Sequence, residues 1–309
     1  MTPALPRALR PGDLIGVCAP SGVVDPARLA AGVAALERLG FRVRAEAGLL
    51  ERKLFSAGSI QRRVDELHGL FADDSVAAVL CARGGAGVGE LLPRLDRGLF
   101  LDKPKIFVGY SDLTLFHSFL DGLGLVSFHG PMLAAELASG AFDAASFTRS
   151  LQDGRGPWLL ETQGVRCLRA GRAEGRFGGG CLSLLAAAAG TGWAPRGSAA
   201  RASVLLVEDL DEPPYRVHRL LTQLRQSGGL EGVAGIVFGE MRGCSAPAGE
   251  EFSLDDVILD ALQGLDVAVA AGLPCGHSPT PMLTLPLGAA ARLECGPGVR
   301  LELRGPWLA

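Results

Sequence analysis

A serine stands at a predicted transition from a strand to a helix. Residues 106–109 form a short apolar run that is typical of a buried strand, and apolar side chains with helical spacing predict a helix that begins at Asp112. Ser111 lies in the turn between them, where a hydroxyl is exposed above the sheet beside the first N–H groups of a helix. This position suits the nucleophile of an acyl-transfer reaction. The G-x-S-x-G pattern is absent, however, and the spacing alone favours a Ser111 or Asp112 that only caps the helix.

A glycine-rich turn follows an earlier predicted strand at residues 76–82. Arg83, Gly84 and Gly85 open the turn, and two more glycines follow. Glycine lets the backbone approach a ligand closely and direct N–H groups at an anion, although this turn matches neither the dinucleotide fingerprint nor the P-loop. The N–H groups of Gly85 and Asp112 could together hold the oxyanion of a tetrahedral intermediate. A tight turn without a functional role is the alternative interpretation.

Four carboxylates lie within five residues after another predicted strand. Glu208 directly continues the apolar run 204–207, and Asp209, Asp211 and Glu212 follow it. Such a cluster could bind a divalent cation, or it could be a solvated acidic turn. The solvated turn accounts for Asp209 and Asp211. Glu208 differs because it continues a strand and is expected to be half-buried, where a carboxylate needs a partner.

Two of the five histidines are the main candidates for a catalytic base. His277 lies in a Pro- and Gly-rich loop that follows a predicted strand, a placement that favours function, and His129 in the turn F-H-G-P-M is its strongest competitor. The remaining histidines fall on predicted helices: His68, His117 and His218. Cys81 and Cys275 are possible nucleophiles, but Cys81 fits a buried strand and neither thiol has an evident strand-to-helix turn.

Predicted strands and helices alternate in the first half of the chain, and these elements must position the residues named above. The apolar run 14–18 is followed by a helical stripe that ends at Gly40, and a second stripe follows Ser59, a predicted helix cap. Continuous apolar runs bounded by turns are typical of parallel strands buried on both faces. This order predicts an α/β fold with a doubly wound sheet, whose ligands lie at the carboxyl ends of the strands.

The composition of the sequence changes at about 154–175, a stretch rich in Gly, Arg and Gln. We therefore predict an N-terminal domain at 1–153, a linker at 154–175 and a C-terminal domain at 176–309. Strands at 204–207 and 233–238 enclose a helical stripe, and a hairpin with G-P-G as its turn ends the chain. The second domain is predicted to be α+β, with more antiparallel pairing than the first.

Composition restricts the class of protein. Of 309 residues, 48% are hydrophobic and 20% charged, and this balance excludes wholesale disorder. The net charge of −3, with acidic and basic residues interspersed, gives no sign of a nucleic-acid partner. The seven cysteines lack C-x-x-C pairs and indicate a reduced, cytoplasmic protein. No signal peptide is evident, and the uncharged stretch 177–195 is interpreted as a buried helix against a glycine turn, so we expect no membrane partner.

Several short motifs occur in an order that resembles one known family. From about Gly12 to Glu294 the chain contains R-G-G, G-Y-S-D, H-G-P-M, G-G-x-L-S-L-L, E-D-x-x-E-x-P-Y, G-H and L-P-L-G. This series is similar to that of the LD-carboxypeptidases, also called muramoyltetrapeptide carboxypeptidases, whose relatives hydrolyse microcin C. Several blocks in the right order make the resemblance more specific than any single motif.

The resemblance implies a function and a set of site residues. Ser111 would be the nucleophile, His277 the base and Glu208 the acid that orients it, in a serine carboxypeptidase that cleaves the L,D-bond before a terminal D-amino acid of a small murein peptide. It also implies a Rossmann-like N-terminal domain, a smaller β-rich C-terminal domain, a site between them, and a homodimer. Arg83 is a candidate partner for the substrate carboxylate, with Gly84 beside it, although a structural Arg83 is an equal alternative. No cofactor and no metal are required.

The chain departs from the family pattern at two positions. Ala86 stands where the family often has Tyr, and Cys181 stands where it often has Asn, which leaves the shape of the substrate pocket open. Three other functions stay open as well. They are a microcin C-type hydrolase of acyl-sulfamates or aminoacyl nucleotides, a metal hydrolase built on the cluster at 208–212, and a ligand-binding protein without catalysis.

Overall fold

The structure is a computed structural model and describes residues 5–160, 164–194 and 203–309. Its first elements, in chain order, are β1 (Leu14–Cys18), α1 (Pro26–Arg38), β2 (Arg42–Arg44), α2 (Ile60–Ala72), β3 (Val76–Cys81), α3 (Arg97–Asp102), β4 (Ile106–Gly109), α4 (Thr114–Gly122), β5 (Ser127–His129) and α5 (Ala144–Thr148). The later elements are β6 (Trp158–Leu160), β7 (Arg166–Arg169), β8 (Gly171–Cys181), α6 (Leu182–Ala187), β9 (Ser203–Leu210), α7 (Pro214–Gln226), β10 (Val233–Arg242), α8 (Leu254–Ala261), β11 (Ala268–Ala271), β12 (Leu285–Leu287), β13 (Ala290–Cys295) and β14 (Val299–Arg304).

The chain divides into two compact units. Unit 1 comprises residues 1–154, 280–286 and 306–309, and unit 2 comprises residues 155–279 and 287–305. Two segments near the carboxyl end therefore belong to unit 1, which the domain prediction did not anticipate.

Unit 1 is built on a six-stranded sheet in the order β12-β5-β4-β3-β1-β2. Strands β1 to β5 pair in parallel, and in the central pair Val17 lies beside Leu80 and Cys18 beside Cys81. All four of these side chains are fully buried. Because a parallel sheet is covered by helices on both faces, its strands read as continuous apolar runs, as the sequence predicted. The α/β fold with a parallel first sheet is confirmed.

The helices of unit 1 begin where the sequence provides caps. The Asp25 side chain accepts a hydrogen bond from the N–H of Arg28, with Pro26 opening α1, and Ser59 accepts one from the N–H of Arg62 at the start of α2. These contacts satisfy N–H groups that have no partner within the helix. The Ser59 cap predicted from the sequence is confirmed.

Unit 2 is built on an eight-stranded sheet in the order β6-β14-β13-β8-β9-β10-β11-β7. Strands β8 to β11 pair in parallel, and the outer strands add antiparallel pairs on both sides. The predicted carboxyl-terminal hairpin is present as β13 and β14. The second sheet is thus mixed, with more antiparallel pairing than the first, as expected.

Two predictions about the middle of the chain were wrong. The stretch 154–175 is not a linker, because it contains β6, β7 and the first part of β8, which pair within the second sheet. β7 and the first part of β8 are rich in Gly, Arg and Glu, so composition alone suggested a loop. The stretch 177–195 is only partly a helix: Phe177–Cys181 finishes β8, α6 follows, and Pro195 lies outside the described residues. Within the described ranges, no helix has the length and apolarity to span a membrane.

Candidate active site

Ser111 occupies a sharp turn at the carboxyl end of β4. Its φ of 64° places it in the left-handed region, which non-glycine residues rarely adopt. A short 3-10 turn covers Ser111–Leu113, and α4 starts at Thr114, so the helix begins slightly later than predicted. Neither the 3-10 turn nor α4 has a side-chain hydrogen bond that caps its first residues. This argues against the interpretation that Ser111 or Asp112 only caps the helix. Strain of this kind is retained where the surroundings enforce it, commonly at functional positions.

Close packing holds the turn in place. A Cβ on Gly84 would lie 2.9 Å from the Ser111 Cβ and 3.0 Å from its Oγ, so a glycine is needed for this approach. A Cβ on Gly109 would meet Leu113 at 3.1 Å. The carbonyl of Gly109 is also bonded to Nε2 of the buried His117 at 2.8 Å. The backbone before and after Ser111 is therefore fixed from both sides.

The Asp112 side chain joins three loops of unit 1. It is buried and accepts hydrogen bonds from Ser21 Oγ at 2.6 Å and from the N–H of Val88 at 3.1 Å. Burial raises the pKa of the Asp112 carboxyl, against the effect of these hydrogen bonds. Asp112 thus ties the loops after β1 and β3 to the turn that contains Ser111, while its backbone N–H stays at the start of the 3-10 turn.

The glycine-rich turn after β3 packs against the loop after β1. The N–H of Gly22 donates to the carbonyl of Gly84 at 3.2 Å, and a Cβ on Gly85 would lie 2.8 Å from the Cα of Gly22. Gly85 has a φ of 138°, which L-residues seldom adopt. Arg83 donates from Nε to the carbonyl of Gly84 at 3.1 Å and from Nη1 to that of Val23 at 2.9 Å. These two bonds support the structural role of Arg83 and occupy part of its guanidinium.

A buried arginine that the sequence reasoning missed supports the same turn. Arg63 is only 1% exposed and donates from Nη1 to the carbonyls of Pro20 at 2.9 Å and Gly87 at 3.1 Å. Its Nη2 lies 3.2 Å from the carboxylate of Glu90. The signal in the sequence was a cation directly beside Val64 on the apolar face of α2, where a charge requires partners.

In unit 2, His277 and Glu208 form a hydrogen-bonded pair. His277 Nδ1 lies 2.8 Å from Glu208 Oε2, and the backbone N–H of His277 donates to the same oxygen at 3.2 Å. Glu208 is completely buried in β9, more than the half-burial expected, while the His277 side chain is 17% exposed. A buried carboxylate that accepts two hydrogen bonds from one residue fixes both the position and the tautomer of that imidazole.

The loop that contains His277 packs closely against β9 and β10. Gly276 has a φ of 79°, and a Cβ there would collide with the Glu208 carboxylate. A Cβ on Gly239 would lie 2.7 Å from Cys275 Sγ, and the N–H of Glu240 donates to the carbonyl of Cys275. Burial raises the pKa of the Cys275 thiol well above its ordinary value, so this thiol is a poor nucleophile.

Two of the other three carboxylates of the cluster at 208–212 have partners of their own. Glu208 and Asp209 are neighbours in β9, so their side chains point to opposite faces of the sheet. Asp209 accepts from the N–H of Ser183 at 2.7 Å, and Glu212 pairs with Arg216 at 2.7 Å. In the described part of the chain, no group of three or more His, Cys, Asp and Glu side chains is arranged to hold a metal ion. The geometry gives no support to a metal site built on this cluster.

The remaining histidines have different environments. His129 is the last residue of β5 and is completely buried, and His117 is buried between Ser127 and the carbonyl of Gly109. His218 also lies beside a carboxylate, Asp260, at 3.0 Å, but both side chains are well exposed. Of the two candidates for a base, His277 is the one with a buried carboxylate on its Nδ1.

The sequence-predicted residues are thus distributed over both units. Unit 1 contains Ser111 and Asp112, together with the turn at 83–85, and unit 2 contains Glu208 and His277. Each unit brings its own residues into contact as described.

Comparison with known proteins assigns the family. The model of the LD-carboxypeptidase N-terminal domain matches residues 15–130, and that of the LD-carboxypeptidase C-terminal domain matches residues 174–293. A probable murein peptide carboxypeptidase of Bacillus subtilis is 36% identical over 294 residues, covering 94% of this chain and 91% of the relative. The microcin C7 self-immunity protein MccF of Escherichia coli is 28% identical, covering 94% and 93% of the two chains.

A solved structure agrees with these matches. The muramoyltetrapeptide carboxypeptidase from Oxalobacter formigenes superposes with a TM-score of 0.84 at 29% identity, covering 94% of this chain and 99% of that one. Both family models together span most of the described sequence, and the fold agrees over nearly the whole chain. The protein therefore belongs to the LD-carboxypeptidase family and is a serine-type peptidase.

Proposed function

We propose that the protein hydrolyses the L,D-amide bond before the terminal D-amino acid of murein tetrapeptide, releasing a tripeptide and D-alanine, with Ser111, His277 and Glu208 as its catalytic triad. The observation that carries this proposal is the hydrogen bond between His277 Nδ1 and the buried Glu208 carboxylate. The strained turn at Ser111, in a chain of this family, supplies the nucleophile.

The histidine–glutamate pair supports the role of His277 as general base. Since Nδ1–H donates to Glu208, Nε2 is the nitrogen that receives the proton of the nucleophile. Glu208 then stabilises the imidazolium that forms, at short range and away from water. Because Glu208 lies within a strand, the sheet holds it rigidly, which a catalytic group requires.

The proposed reaction is an acyl transfer in two steps. Ser111 Oγ forms a bond to the carbonyl carbon while its proton passes to His277 Nε2. The tetrahedral intermediate collapses, the C–N bond breaks, and His277 returns the proton to the amine of the departing D-amino acid. Water activated by His277 then hydrolyses the ester on Ser111 and restores the hydroxyl. None of these steps uses a cofactor.

The backbone N–H groups of Gly85 and Asp112 are the proposed donors to the oxyanion. In favour of this assignment, Gly84 packs directly on Ser111, and the Asp112 side chain locks the start of the 3-10 turn. Donors held in advance of the reaction stabilise the developing charge without reorganisation. Gly84 and Arg83 are proposed to contact the substrate, Arg83 through the guanidinium nitrogens that do not bond the loop carbonyls.

The test is to incubate the purified protein with murein tetrapeptide and to measure free D-alanine. Ser111→Ala should lower kcat by about 10⁴ or more, because the members of a triad act as a unit. Its unfolding temperature should match that of the wild type. Ser139→Ala, which changes an exposed serine bonded to Ala135, is the matched control and should keep full activity. Normal turnover by a folded Ser111→Ala protein would refute the nucleophile assignment.

The similarity to MccF favours one competing activity, hydrolysis of an acyl-sulfamate or aminoacyl nucleotide. The same triad would attack a carbonyl next to a different leaving group, so the active-site variants do not separate the two activities. Offering both substrate classes to the wild-type protein does. Release of the amino acid from an aminoacyl sulfamoyl adenosine, with no D-alanine from the tetrapeptide, would replace the proposed substrate.

The wider role follows from the substrate. A carboxypeptidase that shortens murein tetrapeptide would act in peptidoglycan recycling, which places it in the cytoplasm. The cytoplasmic location and the homodimer stay predictions, and fractionation and analytical ultracentrifugation test them.

A further inference from the structure

A tight hairpin in unit 1 exposes two large apolar side chains. Lys53 and Ser56 exchange backbone hydrogen bonds of 3.0 Å in both directions, so Leu54 and Phe55 form a two-residue turn. Leu54 is 77% exposed and Phe55 is 64% exposed, more than any other large hydrophobic side chain in the described ranges. We call Leu54 and Phe55 the hairpin tip. An adjacent pair of exposed apolar side chains at one place indicates a contact surface.

The backbone of the hairpin tip is strained. Leu54 has a φ of 56°, at a turn position where glycine or asparagine is preferred. Among the described non-glycine residues, the only others with positive φ are Ser111 and Asp211. A leucine in the left-handed region brings no benefit to folding, and such strain is typical of positions that are retained for function.

Backbone hydrogen bonds join the hairpin tip to the turn that contains Ser111. The N–H of Val23 donates to the carbonyl of Phe55 at 3.3 Å, and Ser56 bridges to Gly22. Gly22 in turn bonds Gly84, which packs on Ser111. A second route runs from the N–H of Ala57 to the carbonyl of Ser21, whose hydroxyl donates to Asp112. The hairpin is therefore part of the same rigid loop cluster at the carboxyl edge of the sheet.

Ser56, which closes the hairpin, contacts the glycine-rich turn directly. Its hydroxyl donates to the carbonyl of Ala86 at 3.4 Å, and a Cβ on Gly87 would lie 3.0 Å from the same hydroxyl. The hairpin tip is therefore adjacent in the chain to a side chain that contacts the turn beside Ser111.

The charges beside the tip indicate the chemistry of what it would contact. Arg52 and Lys53 precede Leu54 directly and are both exposed, so an apolar pair is flanked by two cations. Such a surface suits a peptide that combines aliphatic groups with a carboxylate. A second apolar protein surface would not use the cations.

We propose that Leu54 and Phe55 contact the part of the acyl side of the peptide substrate that lies furthest from the scissile bond, and that the adjacent cations face a side-chain carboxylate of that part. This inference rests on the proposed function, because it takes Ser111 as the nucleophile. It assigns to the hairpin tip the preference for a tetrapeptide over a shorter peptide with the same L,D-bond.

The experiment compares two substrates and three variants. The substrates are murein tetrapeptide and an N-acetylated dipeptide that ends in the same L,D-bond. Phe55→Ala and Leu54→Gly should each lower kcat/KM for the tetrapeptide about tenfold, mainly through KM, and leave the dipeptide unchanged. Leu54→Gly should do so without a loss of unfolding temperature, since glycine adopts the observed φ without strain. Leu101→Ala, at a 46% exposed leucine on α3, is the control and should change neither value.

The outcomes separate this inference from the function on which it rests. A wild-type protein that releases D-alanine from neither peptide overturns both. Equal kcat/KM values in the wild type and the tip variants overturn the inference alone. An equal loss on both peptides, accompanied by dissociation of an oligomer in sedimentation, would instead assign the hairpin tip to a contact with a second copy of the chain and also overturn it.

Discussion

Replacing Glu208 by glutamine tests the central pair of the proposed triad. The substitution keeps the size and shape of the side chain and removes its charge. It also offers an NH₂ group where His277 Nδ1 now finds a carboxylate oxygen at 2.8 Å. If the amide NH₂ faces Nδ1, the imidazole must carry its proton on Nε2, and it can no longer accept one from Ser111.

The magnitude follows from this geometry. Loss of the orienting acid of a serine triad, with the geometry intact, lowers kcat by up to about 10⁴. A factor of 10⁴ corresponds to about 5.4 kcal/mol of activation free energy. The free energy of unfolding should change much less, by at most about 2 kcal/mol, because two charge-assisted hydrogen bonds weaken while a buried charge disappears.

Glu212→Gln is the matched control, since Glu212 belongs to the same cluster. Glu212 pairs with Arg216 four residues later, and the side chains of Arg216 and Glu212 are 51% and 13% exposed. A pair that is open to water on the arginine side contributes on the order of 1 kcal/mol or less. Glu212→Gln should therefore keep nearly full activity and a nearly unchanged unfolding temperature.

The assay measures D-alanine release by both variants side by side, with thermal unfolding as the control for folding. An inactive Glu212→Gln beside an active Glu208→Gln would show that the carboxylate on His277 is not the orienting acid. Two folded and fully active variants would show the same.

Three further predictions concern metal, packing and pH. Activity should survive exhaustive dialysis against EDTA, because Glu208, Asp209 and Glu212 contact separate partners; a loss that added metal restores would contradict this. Gly276→Ala should lower both activity and the unfolding temperature, since a Cβ at a φ of 79° collides with Glu208. Burial lowers the pKa of His117 from 6.5 to about 3, so between these values only the unfolded chain binds the proton. The contribution of His117 to the free energy of unfolding should therefore be greatest above pH 6.5 and fall by about 4 kcal/mol towards pH 3. It is measured as the difference between the unfolding curves of the wild type and His117→Gln, with His218→Gln as the surface control.

Local features of the chain were predictable because they depend on neighbouring residues. The strand at 106–109, the Ser59 cap and the G-P-G hairpin follow from apolar periodicity and from turn chemistry over a few residues. The same reasoning failed for 154–175, where strands pair with partners more than a hundred residues away. The Gly and charged residues of β7 and of the first part of β8 resemble the composition of a linker.

The residues of the candidate site were also predictable only where they depend on neighbouring residues in the chain. The sequence alone determined which residue types stand at strand ends, including a serine in a strand-to-helix turn and a carboxylate that continues an apolar strand. It favoured His277 over His129 by its loop placement after a strand, but it could not show which of the two contacts a carboxylate. The tertiary structure decided that His277 contacts Glu208, across 69 positions of sequence, and that Ser21 bonds Asp112 across 91. Such contacts depend on strand order and on how loops pack at one edge of a sheet, and neither is encoded in local spacing.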